Sequence, residues 1–287
     1  MTINIAIRGA DVGYSKGTTD GFLKGIDEGL VTSAYLYLDT VASEYALKEL
    51  AKRPWISVEW QAQLKGKPIL GKDEIPSLID EDGTYVWSRK RNENKNKINY
   101  DEAVKELKAQ LDLCYRYLGR YPETAEFDLD GMVLNNALMD VCDQYHIPYN
   151  TCVCPFFGLS EKYANSNYYY VGIMPHLVLD KEEIKSLDSA VIADKYDTAK
   201  VIMAQKFEEG KDYCISIHPA FIDDALWKQS HSYTLPRVKD VIGITDPSLK
   251  QYFVEKGYRL VNQRDILENT NQYQEHLKEI GSNLYVG

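Results

Sequence analysis

No run of apolar residues in this chain approaches the roughly 18 that a membrane-spanning helix needs, and no membrane association is expected. Basic charge is also short: 33 Lys and Arg against 43 Asp and Glu leave a net charge of −10. The chain therefore lacks the basic face that a nucleic-acid backbone requires. Cysteine is sparse, and Cys114, Cys142, Cys152, Cys154 and Cys214 form an odd, scattered set without zinc-knuckle spacing. They are read as reduced structural thiols. Neither kind of Gly-rich phosphate loop occurs, nor a Gly-x-Ser-x-Gly elbow, which argues against kinase, dehydrogenase and serine-hydrolase chemistry. No charged-then-apolar leader precedes the first strand, so a cytoplasmic location is expected.

What is present is a chain of 287 residues, 44% hydrophobic, enough for a substantial core. Its organising stretch is Ile5 to Ser15. Alternation and β-branching up to Ile7 predict a buried strand, Gly9 and Gly13 predict a break, and Asp11 sits in that break. Asp11 either caps the turn or presents a carboxylate at the edge of the sheet where α/β folds carry their chemistry. A helix capped by Thr18 or Thr19 follows, then a strand at 32–38, a helix at 42–51 stopped by Pro54, and a strand at 55–61. Short links between them predict a parallel sheet. Residues 62–99 are a long excursion, read as a lid or one side of a site. Tyr100 to Leu118 is the strongest helical stripe and Gly119 its stop. Thr124 to Gly131 predicts a strand running into Asp128 and Asp130. A helix at 135–145, a strand at 149–154, a helix at 197–209 and the apolar strand 213–217 follow, the last delivering His218-Pro219. A helix at 247–256, a strand at 259–262 and a C-terminal covering helix within 268–287 close the chain.

Several strand ends thus carry polar groups: Asp11; Glu59 and Gln61; Asp128 and Asp130; and His218. In a closed barrel they would project into one mouth. Carboxylate and amide oxygens suit a hard divalent cation better than zinc, and His218, at the end of an apolar strand, is the best acid/base candidate or else a satisfied structural histidine.

The order Gly9-Ala10-Asp11-Val12-Gly13-Tyr14-Ser15, Gly29-Leu30-Val31-Thr32-Ser33, Gly66-Lys67-Pro68, Pro76 to Asp80, Gly119-Arg120 with Pro122, and His218-Pro219 resembles the YdjC/ChbG-like carbohydrate deacetylases over nearly the whole chain. The resemblance implies an α/β fold, a distorted TIM-like (βα) barrel of about seven parallel strands in a single domain. It also implies removal of an N-acetyl group from a small amino sugar or oligosaccharide with the help of a divalent metal, Mg, Mn or Zn. Of the family's paired aspartates, the catalytic base falls on Ala10 and the metal ligand on Asp11. The other two ligands are histidines in the family and fall here on Gln61, or Glu59 if the alignment slips by two, and on Asp128. Asp130 is the candidate substitute base and His218 the acid; Glu59, Trp60 and Arg8 are expected on the substrate side. Two readings follow: a hydrolase with an altered, oxygen-rich site, or a degenerate relative that binds a sugar without hydrolysis. A homodimer is a further expectation from size and class.

Overall fold

The computed structural model describes residues 2–62, 64, 66–86, 98–127, 132–151, 154–157, 168–229 and 233–286. Strand β1, Asn4–Val12, is buried from Ile5 to its end, as a strand covered on both faces must be. It runs on through Gly9, where the sequence predicted a break, and the Phe22 ring packs there, 2.5 Å from where a Cβ would stand. The chain turns only at Gly13, φ 81°. Helix α1, Lys16–Asp27, is capped by Ser15 and not by Thr18 or Thr19: the Ser15 hydroxyl accepts from the Thr18 N–H, and the Thr18 hydroxyl bonds back.

The remaining elements follow in order: β2 Ser33–Leu36, α2 Ser43–Ala51, β3 Ser57–Gln61, α3 Tyr100–Leu118, β4 Thr124–Phe127, α4 Met132–Gln144, β5 Tyr149–Thr151, β6 Cys154–Phe157 and β7 Tyr168–Gly172. Then come α5 Lys181–Ser186, α6 Ser189–Lys195, α7 Thr198–Met203, β8 Asp212–Ile217, α8 Asp224–Gln229, α9 Thr234–Ile244, α10 Pro247–Lys256, β9 Arg259–Leu260, α11 Gln263–Glu268 and α12 Gln272–Glu279. Parallel strands alternating with helices make this the α/β architecture of a distorted TIM-like (βα) barrel. No helix among the described residues is long and apolar enough to cross a membrane.

Two compact units are distinguishable, residues 1–35, 55–57 and 167–287, and residues 36–54 and 58–166. In the first, β8 lies between β7 and β1, parallel to both, and β9 also pairs with β1. The β1–β8 register sets Gly9 opposite Ile217. Beneath it the Ser57 hydroxyl donates to the Ser33 hydroxyl at 2.8 Å, and the Gln263 N–H at the start of α11 donates to both. In the second unit β3, β4 and β5 are parallel, and β6 returns antiparallel on β5. The described part of the excursion is bolted to α3. Glu106, wholly buried, accepts from the Ile69 and Leu70 N–H groups and from the Tyr85 hydroxyl, and Glu102 accepts from the Ser77 N–H.

Two further expectations need correction. The helix predicted to Glu209 stops at Met203, because the chain straightens to seat Phe207 edge-on against the Tyr213 and Tyr258 rings. Helix α9 was not expected at all; Pro236 occupies its first turn, where the missing N–H would have had no intrahelical partner.

Helix α1 meets the chain after His218 at bare backbone: a Cβ on Gly21 would lie 2.4 Å from the Ala220 Cα. We expect Gly21→Ala to destabilise the fold by about 1–3 kcal/mol despite its better helix propensity, read as a lowered midpoint in thermal unfolding followed by circular dichroism.

Candidate active site

Strand β8 is buried from Tyr213 to Ile217 and hands the chain to His218, which is half-buried. Its backbone is fixed from helix α9. Asp240, itself buried, accepts the His218 N–H at 2.8 Å on one carboxylate oxygen, and the hydroxyls of Tyr196 and Thr198, at 2.8 and 2.6 Å, on the other. Burial pushes the Asp240 carboxyl up to about 6, against the pull of those hydrogen bonds and of the nearby Arg237 charge.

One turn earlier on the same helix, Arg237 reaches the end of β1: its Nη1 stands 2.7 Å from Oδ2 of Asp11, and the two side chains are only 12% and 11% exposed. Asp11 adopts a left-handed backbone, φ 59°, a conformation that Asp tolerates better than most residues, and so turns its carboxylate out of the strand's alternation. The Nε–H of Arg237 is buried with no hydrogen-bond acceptor among the described residues. Tyr14 lies near this pair, its phenol pushed up first by burial and then by the charges of Asp11 and Asp223. Asp223 laces the loop after His218 to α1, accepting the Gly17 N–H at 2.7 Å, while the Phe221 N–H donates to the Gly17 carbonyl.

His218, Arg237, Tyr233 and Asp240 share the wall of a cavity of about 250 Å³ with Ile173, Met174, Pro175 and Pro236. Its lining mixes polar and apolar side chains, the make-up of a small-molecule site. A compact polar group with an apolar tip would match it.

Asp11 and His218 are thus brought to one region through α9. Arg8, also in the first unit, is buried with its guanidinium 4.2 and 4.9 Å from the ring centroids of Tyr35 and Tyr170, donating to the Tyr170 hydroxyl and to the Ser216 hydroxyl. Glu59, Trp60 and Gln61 are buried in β3, within the second unit, and the Trp60 indole N–H donates to Gln110 in its core. Asp128 and Asp130 lie outside the described residues. Reading the sequence alone missed Arg237 and Asp240. The signal was the Arg-x-x-Asp spacing, which sets both on one helical face, but it sat in a stretch where no helix was expected.

Asp11 was the first of the ligands expected for a divalent cation. Its carboxylate already faces a guanidinium, which neutralises its charge and would repel a second cation. Among the described residues, no three His, Cys, Asp or Glu side chains gather as a metal-holding group. The described donors do not fit the metal.

A parallel (βα) sheet with a strand-end histidine on the wall of a mixed polar and apolar cavity defines an α/β-barrel protein of the kind that builds enzyme sites on strand ends. Residues 4–255 match the family of YdjC-like proteins, and the chain belongs to that family. It is 28% identical to a carbohydrate deacetylase of Enterococcus faecalis V583, over 90% of this chain and 96% of that one. It is 25% identical to a carbohydrate deacetylase of Geobacillus stearothermophilus, over 89% and 94%. A crystal structure from Enterococcus faecalis V583, named for cellobiose-phosphate cleavage, superposes with a TM-score of 0.61 at 22% identity, over 94% of this chain and 99% of that one.

The raised Asp240 carboxyl fixes the sign of one pH effect. A carboxyl that holds its proton more tightly folded than unfolded contributes stability below its ordinary value, and that contribution is lost as pH rises from 3.8 through about 6. Asp240→Asn should flatten this segment of the stability curve. It should also lower stability at pH 7 by about 1–3 kcal/mol, since an amide offers one acceptor oxygen where Asp240 uses two. Urea unfolding of both proteins from pH 4 to 8 checks it.

Proposed function

We propose that this protein is a carbohydrate deacetylase that hydrolyses the N-acetyl group of a small amino sugar or oligosaccharide. The observation that carries the reading is His218, held at the end of β8 by Asp240 and facing a cavity whose apolar wall suits a methyl group and whose polar wall suits a carbonyl. Membership of the YdjC-like family and the likeness to two carbohydrate deacetylases support the same reaction.

In the proposed reaction the acetyl group enters with its methyl toward Ile173, Met174 and Pro175. The His218 imidazole takes a proton from the attacking water and returns it to the amine nitrogen as the C–N bond breaks. Asp240 positions His218 through the backbone. The divalent metal that the resemblance implies, with Asp11, Gln61 and Asp128 as ligands, enters no step, because the described residues do not fit it.

A second reading has its own observation. Ala10, buried with 2% exposure, stands where the resemblance expects the catalytic base, which favours a relative that binds sugar without cleaving it.

Acetate release from N-acetylglucosamine and its short oligomers decides between the two. We expect measurable release by the wild type and a fall of about 10²- to 10⁴-fold in kcat for His218→Ala, the range a general acid-base group supplies. Sugar binding by calorimetry without any acetate would support the second reading.

A further inference from the structure

Arg237 is placed for more than a structural ion pair. A surface cation forming a salt bridge leaves its remaining donors to water, whereas Arg237 is 12% exposed, keeps a buried Nε–H without an acceptor among the described residues and lines the cavity that His218 also lines. A buried donor without an acceptor is a standing penalty, which a negatively charged oxygen brought against the guanidinium would relieve. Asp11 holds the guanidinium from the strand side and Asp240 adds negative charge from the helix side. The group is therefore fixed before any ligand arrives.

We propose that Arg237 is the oxyanion partner of the reaction, supplying from the polypeptide the positive charge that the resemblance assigns to a divalent cation. This rests on the deacetylase reading and deepens it. When water adds to the acetyl carbonyl carbon, the C=O π pair moves onto oxygen, and one water proton passes to His218. The oxyanion forms against Arg237. On collapse the lone pair re-forms C=O, the C–N bond breaks, and the nitrogen leaves as an amine carrying the proton returned by His218; acetate is the other product. A preorganised charge in a partly desolvated site stabilises the oxyanion more than it stabilises the neutral carbonyl, so the effect falls on kcat. Acetate, which carries the same charged oxygen, should bind the same place.

The test uses the full chain, with the N-acetylglucosamine dimer as substrate and EDTA present or absent. Expected are wild-type turnover unaffected by EDTA and a roughly 10²- to 10³-fold lower kcat in Arg237→Ala with KM within about threefold. Partial rescue of that variant by millimolar guanidinium is also expected, which a misfolded protein would not give. Acetate binding, followed by NMR line broadening, should weaken in Arg237→Ala and in the charge-conserving Arg237→Lys, whose ammonium lacks the planar fork. Turnover abolished by EDTA and restored by zinc or manganese, with Arg237→Lys and Arg237→Ala within threefold of wild type, would overturn this role and leave the deacetylase reading standing. No acetate from any N-acetylated sugar, with or without metal, would overturn both.

Discussion

The parallel pairing of β1 with β8 is the constraint on which the active-site end of the first unit depends. It joins residues separated by 208 positions, Asn4 with Asp212 through Gly9 with Ile217, so the residues that follow each strand emerge side by side. Asp11 and His218 owe their common neighbourhood to that register. A slip by one residue would turn each strand's side chains to the opposite face. The close approach of α1 at Gly17 and Gly21 holds the exit of β8 against the exit of β1.

Helix α9 then completes what the strands begin. Its first turn supplies Arg237 to Asp11, and its second supplies Asp240 to the backbone of His218. The charges alternate in sign from the strand to the helix: carboxylate, guanidinium, carboxylate. Each buried charge is compensated by the next, as burial of ionic groups requires, and the whole set is anchored in Tyr196 and Thr198. Such a chain is stiff, and stiffness suits groups that must meet a transition state without reorganising.

In the second unit the same economy serves structure. Glu106 collects three donors from the excursion and a fourth from Gln110, and burial and hydrogen bonding oppose one another at its carboxyl. The buried Trp60, whose indole N–H donates to Gln110, belongs to that network.

Local chemistry settled much of the architecture before any contact was known. Tyr100–Leu118 with its Gly119 stop and Pro247–Lys256 were readable to the residue, because an apolar stripe and a left-handed glycine act within one or two turns. The apolar β8 with His218 behind it and the parallel βα order were legible for the same reason. The sequence alone therefore determined the parallel βα order, the barrel class and the strand-end positions of Asp11 and His218. Tertiary structure alone decided that β1 would run through Gly9 against Phe22, that Phe207 would end α7, and that Arg237 would answer Asp11 while Asp240 held His218. Those outcomes turn on partners far apart in the chain, whose pairing is selected by packing and by the cost of leaving a buried charge alone, and no local pattern carries that information.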